Sequence, residues 1–556
     1  MGDGSIGGKG RSIAFMDNIV KEHVELNGDE NIPIRIPRTV VLCTDIFDEF
    51  MESNDLYPIA LSDRSDDEIL HYFLRAGLPD RLIEDFMAFL DVVKGPIAVR
   101  SSSLLEDSHY QPFAGVYSTY MIPLLGDKYE TLTILGKAIK AVYASVFYRD
   151  SKTYMTATQN IIDQEKMAIV LQEAVGTAYG DRFYPTISGV ARSLNFYPIG
   201  NEAPEDGIAN IALGLGKYIV DGGANIRFSP AHPHNIMQLS TVELALRDTQ
   251  RNFYALDLKN VSKEFSTNDG FNLLKLNIKD AEKDGSIRYI SSTYDPVDQV
   301  IYEGFYDSGR KIISFANILQ HNVFPLSEIL QKILKIGQEE MGRAVEIEFA
   351  VDLKERGEGF FYLLQIRPIV QNKDLMLEDL SKIDPSQEIL HSNNALGHGI
   401  INDVYDIVYV KSKGFNPANN SQIAAEIDSI NMDFLKEEKN YILIGPGRWG
   451  SSDPWLGIPV KWSQISNARV LVELALENYK IEPSQGTHFF QNLTSFGVGY
   501  FSINPSLQGD SIFDEEFLDH QSAVYESDYI RHVKFTEPMV IKINGKKKIG
   551  VVLKPE

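Results

Sequence analysis

The chain has 556 residues, room for three to four folding units at about 150 residues each; 44% hydrophobic and 23% charged residues make ordinary globular composition rather than disorder. With 53 basic against 77 acidic residues the net charge is −24, which repels nucleic acid and anionic membrane in the absence of a dense basic block. The single cysteine, Cys43, excludes an internal disulfide and a multi-cysteine zinc site, and no apolar run reaches the about 18 residues of a membrane helix.

Gly2, Gly4, Gly7, Gly8 and Gly10 form a glycine-rich loop ahead of any strand, which reads as a connection from an upstream element. No basic region followed by an apolar one opens the chain, and Ile6 stands where a myristoylation signal has Ser or Thr, so the expected address is the cytoplasm. Ile13, Phe15, Met16, Ile19 and Val20 recur at helical spacing. Thr39–Cys43 reads as a strand, with Thr44 as the N-cap of the helix that follows. Helices are expected over 66–76 and 80–92, strand-like segments from Ile97, a long amphipathic helix over 132–150 and a strand over 167–175. Strands and loops continue to about 315, with a helix over 324–341 and a hairpin from Val345 to Pro368. The acidic stretch 371–390 reads as a linker, and 391–556 as a further α/β domain whose Asn544-Gly545 step, next to Lys546–Lys548, marks a hairpin end.

Five places carry candidate chemistry. In Gly7-Gly8-Lys9-Gly10, glycines let backbone N–H groups approach a phosphate and Lys9 adds a mobile charge, although alone the loop reads as a plain turn. A strand running into Arg100-Ser101-Ser102-Ser103, then Glu106-Asp107 and Phe113-Ala114-Gly115, offers a guanidinium fork and hydroxyls; a polar loop with a surface arginine is the simpler meaning. Gly214-Leu215-Gly216-Lys217 precedes a strand-like Tyr218-Ile219-Val220. In Val345–Phe349, strand alternation puts Glu346 and Glu348 on one face, and the paired strand would bring Gln365 and Arg367 to it. Such hard oxygens suit Mg²⁺ completed by phosphates, and a solvated hairpin face is the alternative. Gly445–Ser452 imitates a Walker A spacing but has Ser where the lysine belongs, and is rejected as a P-loop.

In this order the first four elements resemble the N-terminal nucleotide-binding domain of phosphoenolpyruvate synthase and pyruvate phosphate dikinase, over about residues 1–370. Val99–Ser102, Glu106-Asp107 and Phe113–Gly115 are the most specific piece; Gly8-Lys9, Ser188-Gly189-Val190, Gly214–Gly216 and Leu364–Pro368 follow in family order. The resemblance implies an α+β chain: an ATP-grasp-like domain with lobes over 1–200 and 201–370, then the linker and the smaller α/β tail. It implies ATP and Mg²⁺ as ligands. Lys9, Arg100 and Ser101 would meet phosphates, with Gly214 and Gly216 in the nucleotide loop. Gln172 and Glu173, ending the strand from Met167, would supply an adenine-facing backbone hinge. Glu346, Glu348 and Gln365 would hold Mg²⁺ or the ribose side, and Gln365 and Arg367 would close the phosphate pocket.

Lys217 departs from the family's glutamate, and segments 176–187 and 354–359 look longer than the family minimum. The family's phosphate-carrying histidine has its nearest counterpart in His488 of Gly486-Thr487-His488, where Phe489 and Phe490 replace small residues, so a structural histidine is the favoured reading. The residues beyond 370 are too few for the pyruvate-binding barrel, which needs about 250. The expected function is therefore an ATP-dependent phosphotransferase of the phosphoenolpyruvate synthase type without that barrel. An ATP-sensing module that controls an upstream domain or partner, or a kinase for an acceptor other than pyruvate, are the alternatives.

Overall fold

Strand alternation builds most of this molecule: Ile347, Phe349 and Ile366 are buried on one side of their sheet while Glu346, Glu348, Gln365 and Arg367 share the other. The computed structural model describes residues 1–23, 26, 34–104, 106, 115–157, 165–196, 198–199, 201–259, 264–354, 358–369, 380, 383–476, 479, 489, 498–504, 511–545 and 547–555. They divide into two compact units, Met1–Val220 with Ala224–Ile369 and Asp221–Gly223 with Val370–Glu556. Mixed helix and sheet make the fold α+β, as expected. Among the described residues no helix is long and apolar enough to cross a membrane.

The first unit holds two sheets that matter for the site. One is four-stranded and antiparallel, in the order Thr39–Leu42, Met167–Glu173, Ile97–Ser103, Thr119–Ile122. The other is six-stranded, in the order Ile34–Arg35, Gly359–Pro368, Val345–Leu353, Ile187–Arg192, Ile208–Ala212, Ile226–Phe228. Helix Gly7–Glu22 packs against both. Its Ser102 contact ties it to the first sheet, and Ser12 bonds the backbone of Ile366 in the second through both N–H and C=O. Helix Leu326–Met341 buries Ile329, Leu330, Ile333 and Leu334 at helical spacing in the core beneath the second sheet.

Local signals set several boundaries. Ser65 and Glu68 form a capping box that starts helix Asp66–Arg75, and Asp127 caps Lys128–Ser145, so the expected long helix begins earlier and a second helix, Arg149–Ala157, follows it. Cys43, not Thr44, is the N-cap of Thr44–Ser53; the Thr44 hydroxyl accepts from the Ser5 N–H instead. The expected strand Tyr218–Val220 is a helical turn, Lys217–Val220: Gly214 adopts φ +89°, and Gly216 O accepts from Ile219 and Val220, burying Tyr218 and Ile219 against Val190 and Ala212.

In the second unit, Gly499–Ile503, Ala468–Leu474, Tyr441–Pro446 and His398–Val410 run parallel, and helix Asn420–Lys436 makes one crossover. Ile530–Asn544 pairs antiparallel with His398–Val410 and forms the expected hairpin with Ile549–Leu553. The acidic stretch read as a linker lies outside the described residues at 371–379 and 381–382.

Candidate functional site

The hairpin of Val345–Leu353 and Gly359–Pro368 pairs Glu346 directly with Arg367 and Glu348 with Gln365. On the other side of the same strand, Arg192 lies opposite Glu346 and Val190 opposite Glu348. Glu346 is thereby clamped between two guanidinia: Arg367 donates through Nε at 2.8 Å and through Nη2, and Arg192 through Nε. All three side chains are buried. Burial pushes the Glu346 carboxyl up, but Arg192 and Arg367 outweigh it and hold it below the usual glutamate range.

Arg100 reaches this row from the four-stranded sheet. Its Nη2 donates to Gln365 Oε1 at 2.7 Å and to Glu348 Oε2 at 3.3 Å, and its Nη1 to Gln172 Oε1 at 3.0 Å. Gln172 in turn donates to Thr39 Oγ1 at 3.3 Å. Arg367 Nη2 meets the other Glu348 oxygen at 3.3 Å, so Glu348 lies between two arginines from different strands. Side-chain exposure separates the two carboxylates: 18% for Glu348 against 2% for Glu346. Glu348, with Arg100 at 12%, is the more exposed part of the cluster.

Lys9 and Ser101 form a second group with Glu106. Lys9 Nζ pairs with Glu106 Oε1 and lies 3.4 Å from Ser101 Oγ, which donates to the same carboxylate oxygen at 2.9 Å. The glycines beside Lys9 serve close packing: at Gly7, φ is +71° and a Cβ would stand 1.8 Å from Ser102 O. Gly10 N–H donates to Ser102 Oγ at 3.0 Å.

Other expected positions lie elsewhere. Gly214, on its left-handed turn, and Gly216 face Ser188, whose hydroxyl donates to Gly214 O at 2.6 Å. Glu173 accepts from the N–H groups of Lys94 and Gly95, both at 3.0 Å. Along the expected adenine hinge, Gln172 pairs with Thr39 and with Ala98, and Glu173 N–H donates to Arg38 O. His488 lies outside the described residues, as do Asp107, Phe113 and Ala114. The rejected P-loop look-alike uses its amides internally, with Gly447 N–H on Leu474 O, Arg448 on Leu456 O, Trp449 on Glu473 Oε1 and Gly450 on Ile458 O.

Sequence reasoning missed Arg192, Ser12 and Thr39. Arg192 stands after Ser188-Gly189-Val190-Ala191, and its alternation with Val190 was a signal that it shares the carboxylate face once that strand joins the hairpin.

Residues 3–388 match the family model described as pyruvate phosphate dikinase, AMP/ATP-binding domain. A curated relative, the uncharacterized phosphotransferase YvkC of Bacillus subtilis (strain 168), is 28% identical over 187 residues, which make up 34% of this chain and 20% of the relative. The match thus spans about a fifth of the relative's length.

Proposed function

The chain belongs to the pyruvate phosphate dikinase AMP/ATP-binding domain family, and from that premise we propose that it is an ATP-dependent phosphotransferase whose first unit binds the nucleotide in an ATP-grasp-like manner, between the sheet that carries Arg100 and the sheet that carries Glu348. The observation that supports this is the meeting of Arg100, Glu348, Gln365 and Arg367 from three strands of two sheets. Arg100, at the partly exposed edge, is a forked donor matched to phosphate oxygens, with the Arg367 guanidinium buried beside it. Glu346 holds the Arg367 fork in place and leaves Glu348 as the carboxylate that faces a ligand.

The donor set suits Mg²⁺ as it arrives with ATP. Among the described residues no group of three or more His, Cys, Asp or Glu is placed to hold a metal, whereas Glu348 and Gln365 stand in register on paired strands and both accept from Arg100, whose place on these oxygens Mg²⁺ would take. Mg²⁺ characteristically takes one or two protein oxygens and completes its shell with phosphates and water. Bound there, it would neutralise charge on the transferring phosphates. Arg100 and Arg367 would orient the phosphate chain, and helix Gly7–Glu22, through Ser102 and Ile366, keeps their strands in register.

The acceptor is a matter for experiment. The full chain is titrated with Mg-ATP in a calorimeter, then incubated with β- or γ-labelled ATP and analysed for ADP, AMP and retained label. Binding with release of ADP or AMP supports a phosphotransferase, binding without turnover points to the sensing alternative, and no binding overturns the reading.

A further inference from the structure

Lys9 was expected to share the phosphates with Arg100, yet the two cations part company at Ile97–Ser103. Successive side chains of a strand face opposite ways, so Arg100 turns to Gln172, Gln365 and Glu348 while Ser101 turns to Glu106 and Lys9. Glu106, whose side chain is 2% exposed, accepts from Lys9, Ser101 and Ser103. Oε1 takes both Lys9 Nζ and Ser101 Oγ, Oε2 takes the Ser103 N–H at 2.9 Å, and the Glu106 N–H is fixed on Ser103 Oγ at 3.0 Å. If Lys9 left, the hydrogen bonds from Ser101 Oγ and the Ser103 N–H would remain on the carboxylate.

We propose that Glu106 is a counter-ion that holds Lys9 in the nucleotide-free chain, and that a bound polyphosphate takes Lys9 over while Glu106 stays bonded to Ser101 and Ser103. The proposal rests on the reading that this unit binds ATP. Lys9 sits in the first turn of helix Gly7–Glu22, whose backbone is pinned by Gly7 and Gly10 against Ser102. With that backbone held, the proposed exchange is a swing of the flexible lysine stem from the Glu106 side of Ile97–Ser103 toward the Arg100 side. Giving up a buried partner is costly, so a ligand must bring several negative charges close to the ammonium. A triphosphate does so and a nucleoside monophosphate does not. Glu106 thus works as a discriminating device: it subtracts from the affinity of every ligand that recruits Lys9, and only ligands with a phosphate chain return the difference.

The test is calorimetric titration of the full chain with Mg-ATP and, separately, with AMP, in the wild type, Glu106→Gln, Lys9→Met and the double variant. Glu106→Gln is expected to bind Mg-ATP about fivefold or more tighter, the lower range of a site-to-site coupling, and AMP unchanged within about twofold. With Lys9→Met present, the Glu106→Gln gain is expected to vanish. An unchanged or weaker Mg-ATP affinity in Glu106→Gln, or the same gain in the Lys9→Met background, overturns the proposal. Should Glu106→Gln not fold, Glu106→Asp, which withdraws the carboxylate by one methylene, must show the tighter binding. Failure of both to fold overturns the proposal too, because a contact the fold cannot lose is not one that a ligand exchanges. Wild type that binds no Mg-ATP overturns the ATP reading itself, whereas Mg-ATP binding without a Glu106 effect overturns only the counter-ion role.

Discussion

Arg100 satisfies Gln172, Gln365 and Glu348 at once, so its guanidinium is fixed in place rather than waving in solvent. A charge-assisted contact of this kind contributes about 1.5–3 kcal/mol, and Arg100→Ala is expected to weaken Mg-ATP binding roughly ten- to a hundredfold. Calorimetry decides, because an exposed arginine would cost under about 1 kcal/mol. Glu348→Gln keeps the shape and removes one charge from the oxygen pair. Its nucleotide-free melting temperature should stay near wild type while the Mg²⁺ concentration needed for ATP binding rises. An equal fall of the melts with and without Mg-ATP would make the hairpin merely structural. Glu346 belongs to stability instead. Unfolded, it titrates near the ordinary value of about 4.3; folded, Arg192 and Arg367 keep it below the usual range against the pull of burial. Its contribution is therefore complete above the unfolded value and is lost as the pH falls through the lower, folded one. Urea unfolding at pH 7 is expected to show Glu346→Gln weakened by about 3–5 kcal/mol, since two buried guanidinia lose their partner. Between pH 4.5 and 3 the variant's remaining stability should fall less steeply than that of the wild type, a comparison the same unfolding curves provide.

Helix Gly7–Glu22 is the element on which the site's alignment depends, because it grips Ser102 two residues after Arg100 and Ile366 between Gln365 and Arg367. Gly7→Ala would need a side chain at φ +71° and 1.8 Å from a carbonyl oxygen. A loss of about 3 kcal/mol, the upper end for one substitution, is expected together with weaker Mg-ATP binding. Gly126→Ala is the control, with nothing within 4 Å of its Cβ and an expected change within about 0.5 kcal/mol; thermal melts of the two variants check both. The same helix shows what was readable from the chain alone. Alternation is a local pattern, so Glu346, Glu348, Gln365 and Arg367 could be placed on one face without knowing any neighbour. Arg192 carries the same period, but its partner is set by sheet order, which joins strands about 150 residues apart. The glycine loop was visible as glycines and not as close packing on Ser102, since a contact 95 residues away leaves no spacing to read. Tyr218–Val220 reads as a strand because the turn it belongs to, Lys217–Val220, is too short to show a helical period.

Each of the two units has its own apolar interior, one around Ile211, Phe349 and Ile366 and the other around Ile442, Val470 and Phe501. A chain built this way unfolds as more than one cooperative block. Every residue of the Arg100–Glu348 cluster lies in the first unit, so a ligand held there stabilises that block by mass action and does nothing directly for the other. At a free Mg-ATP concentration a hundred times its Kd the gain is about 2.7 kcal/mol. Scanning calorimetry of the full chain is therefore expected to resolve two transitions, with Mg-ATP moving only one upward. Arg100→Ala should abolish that shift at the same nucleotide concentration while leaving the other transition in place, and the Glu346→Gln loss should fall on the same transition that ATP moves. If Mg-ATP raised both transitions equally in wild type and in Arg100→Ala, the nucleotide would be held elsewhere and the cluster would be a brace between two sheets.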